Sequence, residues 1–127
     1  MSEAPKKLKY CVGGQWLESK TDRYMPCHNP STGEVIALAP QCTADEVESA
    51  IAAAKAAYPA WADTPVSKRV QVLFKMKTLV DKHLEELTYL LAMEEGKKWE
   101  EAMGDILKVN EVVEFACGAP HLIKGES

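Results

Sequence analysis

Nowhere in this chain does an apolar run approach the ~20 residues that a bilayer-spanning helix needs. With 46% hydrophobic and 27% charged residues the balance is that of an ordinary soluble globular chain, so neither a membrane span nor wholesale disorder is expected. Basic charge is also short. The 15 Lys and Arg against 19 Asp and Glu leave a net charge of -4, which opposes the phosphate attraction behind non-specific nucleic-acid affinity, so no nucleic-acid partner is expected. The start MSEAPKKLKY holds a small basic cluster at Lys6, Lys7 and Lys9. It lacks the apolar core of a signal peptide and has too little arginine for a transit sequence, so the expected location is intracellular, in the cytoplasm.

Paired metal-ligand spacing is missing too. Cys11, Cys27, Cys42 and Cys117 form no Cys-x-x-Cys pair and no grouping with histidine, which leaves zinc without a site. Four cysteines permit disulfides arithmetically, but buried thiols are expected in a reducing compartment. Gly96-Lys97-Lys98 is not a phosphate loop, because Leu91 stands where the first glycine belongs and Lys98 where the hydroxyl belongs. Gly13-Gly14 is not GxGxxG and no helix follows it, so no dinucleotide fingerprint exists. No internal repeat or low-complexity stretch is present.

What is present in these 127 residues, 14.0 kDa, is the patterning of one small domain or part of one. The first forty residues read as extended. Leu8, Tyr10 and Val12 alternate with polar or small neighbours, Gly13-Gly14 can take the positive φ of a two-residue turn, and Gln15 to Glu18 can return antiparallel. A second hairpin is expected from Tyr24–His28 and Glu34–Leu38 across Asn29-Pro30-Ser31-Thr32-Gly33, with Pro26 and Pro40 favouring edges over a sheet centre.

Helical periodicity takes over at Thr43-Ala44-Asp45-Glu46, a capping box in which the threonine hydroxyl and the glutamate satisfy each other's early backbone N–H groups. Val47, Ala50, Ile51, Ala54 and Tyr58 form the inward line of the first helix, and Pro59 is expected to end it. Thr64-Pro65 then offers a cap with proline at the first helical position. Val70, Leu73, Val80, Leu84, Leu87 and Leu91 follow as one stripe, too long for a single globular helix. A break is expected near Asp81-Lys82-His83 and a stop at Gly96. A last helix from about Trp99 to Ala116 points Ala102, Ile106, Val109 and Val113 inward, with Gly118 and Pro120 as its stop. The fold class is therefore α+β: amino-terminal β-hairpins over residues 1–42, then three or four packed α-helices over residues 43–127.

Few residues invite a catalytic reading. Cys117-Gly118 near His121 could place a thiol beside a base, but Cys117 also closes the last apolar stripe, and that structural role is preferred. His28 and His83 stand singly. Glu94-Glu95 and Glu100-Glu101 lie near helix ends, where solvated faces and the helix dipole explain them. No catalytic, cofactor-binding or metal-binding residue is assigned.

Taken together, the segments YCVGGQWLES, HNPSTGEVIALAP, AAAKAAYPAWADTPVSKRVQVLFK, EEGKKWEEAMGD and VVEFACGAPHLIKGE resemble the amino-terminal portion of an aldehyde dehydrogenase. The PAWADTPV junction and VVEFACGAPHLIKGE are most similar to the CoA-acylating methylmalonate-semialdehyde dehydrogenases. The resemblance implies the start of a cofactor domain within an NAD-dependent homotetramer, housed in the mitochondrial matrix if the source is eukaryotic. The implied chemistry is attack of a cysteine thiolate on the aldehyde, hydride transfer to NAD, transfer of the thioester to coenzyme A and loss of carbon dioxide. It also implies that the oxyanion asparagine, the cofactor glycines and the nucleophile lie beyond the position of Ser127, so the 127-residue piece alone is expected to be inert and to bind no cofactor. Its expected partners are the remainder of the subunit and further copies, through apolar faces. Cys117 matches the FACG element, not the nucleophile. In some relatives a monovalent cation sits near HNPSTGE and an acidic residue matching Asp105, but no such site is assigned here. Lys98-Trp99 and Lys108-Val109-Asn110 depart from the family pattern in the last helix. The competing reading is a stand-alone or split-subunit interaction module without catalysis; a thiol redox protein is a third.

Overall fold

A computed structural model describes residues 4–123 and 125. Lys124, Glu126 and Ser127, the end of the VVEFACGAPHLIKGES stretch, lie outside the described residues. The chain divides into two compact units, the first reaching to Ala60 and the second starting at Trp61.

In the first unit, β2 (Tyr10–Val12) and β3 (Gln15–Leu17) form the expected hairpin, with Tyr10 opposite Leu17. Gly13 and Gly14 both take positive φ, 58° and 77°, as a two-residue primed turn requires. Leu8 does not join this hairpin. Its N–H donates to the Leu38 carbonyl at 2.9 Å, extending a parallel pairing of β1 (Lys6–Lys7) with β5 (Val35–Pro40). Strand β4 (Tyr24–His28) pairs antiparallel on the other side of β5, giving the order β1-β5-β4. Pro26 therefore lies on an edge strand as expected, but Pro40 lies in the central one. It is tolerated because it is the last residue of β5, beyond the short register of β1, which pairs only with Ala37 and Leu38.

Helix α1 (Ala44–Ala62) opens on the capping box: Thr43 Oγ1 accepts from the Glu46 N–H at 3.3 Å and Glu46 Oε2 accepts from the Thr43 N–H at 2.8 Å. The helix runs through Pro59 instead of stopping there. That proline removes one hydrogen bond near the carboxyl end, and the strong helix formers around it carry the last turn to Ala62. The expected inward line of α1 is also corrected: Val47, Ile51 and Tyr58 are exposed, because no other element of the first unit covers that face.

The second unit holds α2 (Val66–Lys82), α3 (Leu84–Glu95), α4 (Trp99–Cys117) and the single turn α5 (Ala119–Leu122). Helix α4 packs on both α2 and α3, and α5 on α2 and α4. The expected break falls at His83, and Gly96 stops α3 in the left-handed conformation with φ 70°. Pro65, not Thr64, occupies the N-cap place of α2. Pro120 does more than stop α4, since it stands in the first turn of α5. Val70, Val113 and Cys117 form the buried cluster, with Leu73 packed against it, while Ala102 is fully buried. Val109 is 40% exposed and Asn110 takes the inward place assigned to it. Both positions fit a helical line through Ala102 and Val113. Asn110 wins because its amide donates to Asp81, at the end of α2.

Candidate functional site

Among the described residues the most heavily bonded carboxylate is Glu46, in the first turn of α1. It is buried, and accepts from the Lys20 N–H at 2.7 Å, the Thr43 N–H at 2.8 Å and the Ser19 hydroxyl at 2.8 Å. Backbone donation from Lys20 and then from Thr43 holds its pKa at about 2, against a desolvation that acts the other way. Tyr10 is shifted upward by desolvation and by the neighbouring Glu46 charge. A carboxylate so fully engaged is a poor proton acceptor near neutral pH. Its place in the chain makes it a clamp that ties the Ser19–Lys20 segment to the start of α1.

A second cluster joins α2 and α4. Asn110 Nδ2 donates to Asp81 Oδ1, and Lys77 lies 3.8 Å from Asp81 and 3.4 Å from Glu114. A third surrounds Lys97, whose ammonium is bonded to Asp105 and stands 3.2 Å from Glu95; these partners raise its pKa, Asp105 most. Asp105 is thus held by a cation of the chain itself. Among the described residues no group of three His, Cys, Asp or Glu side chains comes together to hold a metal ion.

A strongly apolar cavity with a buried, unpartnered guanidinium nitrogen in its wall lies in the second unit. About 250 Å³ in volume, it is bounded by Trp61, Val66, Arg69, Val70 and Leu73 on one side and Ala119 and Ile123 on the other. Positions 66, 69, 70 and 73 are one face of α2, so the helical period itself sets Arg69 among apolar neighbours. The Arg69 Nε is buried without a hydrogen-bond partner. Sequence reasoning passed over Arg69, although a charged residue inside the 66–70–73 line was the available signal.

The residues singled out from the sequence do not converge. Cys117 is a free, buried thiol in the cluster with Val70 and Val113, whereas His121 is exposed on α5. His28 Nδ1 lies 3.3 Å from the Gly33 carbonyl, within its own hairpin, and His83 Nδ1 lies 2.9 Å from Glu86. Gly96, Lys97 and Lys98 connect α3 to α4.

Among the described residues no glycine-rich turn of the GxGxxG kind leads into a helix. A pyrophosphate needs free N–H groups at a helix start and close backbone approach at glycine. Here Glu46 sits in the first turn of α1, Glu85 and Glu86 in that of α3, and Glu100 and Glu101 in that of α4, whereas the first turn of α2, after Pro65, carries no acidic residue.

Against known proteins, the model of the aldehyde dehydrogenase family matches residues 16–127. The chain is 44% identical over 125 residues to malonate-semialdehyde dehydrogenase 1 of Geobacillus thermodenitrificans, covering 98% of this chain and 26% of that protein. It is 43% identical over 120 residues to the human mitochondrial acylating methylmalonate-semialdehyde/malonate-semialdehyde dehydrogenase, covering 94% of this chain and 22% of that one. A Sinorhizobium meliloti protein assigned as a methylmalonate-semialdehyde dehydrogenase and solved with NAD superposes with a TM-score of 0.91 at 34% identity, over 98% of this chain and 26% of that one. The chain thus spans about a quarter of the length of the relatives it matches. Among the described residues no helix is long and apolar enough to cross a membrane.

Proposed function

The chain belongs to the aldehyde dehydrogenase family, and from that premise we propose that it is the amino-terminal part of an NAD-dependent, CoA-acylating dehydrogenase. Its substrate is methylmalonate semialdehyde or a related semialdehyde, and these residues are inert without the rest of the subunit. The observation that carries this reading is the 44% identity over 125 residues with a malonate-semialdehyde dehydrogenase. In this reading the thiolate, the oxyanion donors and the cofactor cradle belong to the part of the subunit that the match does not cover.

What these residues contribute is architecture. The Glu46 clamp and the α2–α4 packing set the positions of outward apolar side chains such as Ile51, Tyr58, Phe74 and Phe115, which would be covered by the remainder of the subunit and by further copies in a homo-oligomer. The compartment follows the relatives: cytoplasm in a bacterium, mitochondrial matrix in a eukaryote. The same outward side chains support a second reading, a split-subunit interaction module that docks a separately encoded remainder.

The test is NADH formation from methylmalonate semialdehyde, NAD and coenzyme A. No turnover is expected from the 127-residue chain, and turnover is expected once the remainder is supplied, in one polypeptide or two. Turnover by the chain alone that disappears in Cys117→Ser would overturn the proposal.

A further inference from the structure

We propose that the Arg69 cavity is an anchoring socket for a segment of the dehydrogenase remainder that carries an Asp or Glu carboxylate beside an apolar side chain. This rests on the reading above that such a remainder exists. At about 250 Å³ the cavity falls below the ~300–1,000 Å³ usual for small-molecule sites and suits one or two protein side chains. Trp61, Val70, Leu73 and Ile123 supply apolar wall, and Arg69 supplies the charge.

A guanidinium keeps its charge at every working pH, and an N–H of it taken from water without a partner is costly. Among the described residues Arg69 takes part in none of the ion pairs, and its Nε has no acceptor. A carboxylate matches the guanidinium fork in charge and geometry. A bare hydrated anion would leave the apolar wall uncovered, so the occupant must bring apolar surface with it. The chain spans 26% of its Geobacillus relative, which leaves about three quarters of such a subunit to supply the segment.

The 127-residue chain and the remaining three quarters of the Geobacillus thermodenitrificans enzyme, expressed as separate polypeptides, provide the test. Calorimetry should show association of the unaltered pair, weakened at least about tenfold by Arg69→Gln, about 1.4 kcal/mol, and changed less than about twofold by Arg23→Gln, a change expected to be small because Arg23 is exposed on the first unit. No association of the unaltered pair would overturn both the docking reading and the socket. Association unchanged by Arg69→Gln would overturn the socket alone.

A labelling experiment on the unaltered chain avoids any question of variant folding. Arg23 and Arg69 are the only arginines, so phenylglyoxal modification reports on both at once. The remainder should protect Arg69 at least about tenfold and leave Arg23 reactive. Equal reactivity of Arg69 with and without the remainder would overturn the socket. So would protection by isovalerate in the isolated chain, which would reassign the cavity to a small free carboxylate.

Discussion

Val112 and Val113 are neighbours on α4 with opposite surroundings: Val113 is 7% exposed and packed in the cluster with Val70 and Cys117, whereas Val112 is 60% exposed. Truncating Val113 to alanine removes two methyl groups from the interior. At ~0.8 kcal/mol for each buried carbon the transfer loss is about 1.5 kcal/mol, and incomplete collapse of the space left behind adds roughly 1 kcal/mol. Alanine returns about 0.5 kcal/mol in helix propensity, so the net cost is about 2 kcal/mol. For a unit of this size that corresponds to a fall in melting temperature on the order of 10 °C. Val112→Ala loses little burial and gains the same propensity, so its melting temperature should stay level or rise slightly. Thermal unfolding of both variants, followed by far-ultraviolet circular dichroism at one protein concentration, makes the comparison. A Val112→Ala loss as large as that of Val113→Ala would refute the assignment of the inward face of α4.

Three further outcomes follow from the polar contacts and the turns. Because the pKa of Glu46 is lowered from 4.5 to about 2 by folding, its contribution to stability is present above about pH 4.5 and disappears as the pH falls toward 2. Urea titrations across that window should show a shallower acid loss in Glu46→Gln than in the parent, and parallel curves would contradict the clamp. Asn110→Asp sets a second carboxylate against Asp81 and should cost roughly 1–3 kcal/mol at neutral pH, partly recovered in acid; a neutral-pH midpoint equal to the parent's would count against the Asn110–Asp81 bond. Gly96→Ala forces an L side chain into the left-handed cap of α3 and should cost about 1 kcal/mol by urea unfolding, with no loss meaning that the cap is not maintained.

The parts of the fold readable from sequence are those encoded within a few residues. Thr43 and Glu46 are three apart and close on each other, Gly13-Gly14 needs only its own φ values, and Gly96 and the His83 break punctuate a stripe already periodic. Pairings that depend on distant chain were not readable. Lys6 and Lys7 carry no strand signal of their own and become β1 only because β5 offers an edge thirty residues later. The choice of Asn110 over Val109 depends on Asp81 being present across the α2–α4 contact, and hydrophobicity alone pointed to the valine. The outward turn of Val47, Ile51 and Tyr58 has a different origin, since their periodicity is that of a buried face while no other element of the first unit buries it. The Arg69 cavity was half readable: the charge inside the apolar 66–70–73 line is visible in the sequence, but the wall that Ala119 and Ile123 add comes from distant chain.

The mass and assembly state of the native gene product, measured together by intact mass spectrometry and light scattering on protein from its source, bear most directly on the central claim. The expected result is a polypeptide several times 14.0 kDa, or a chain of that mass that purifies in stable complex with a larger one. A 14.0 kDa product that stays a soluble monomer with no partner would contradict it, because the outward apolar faces would then have nothing to cover them.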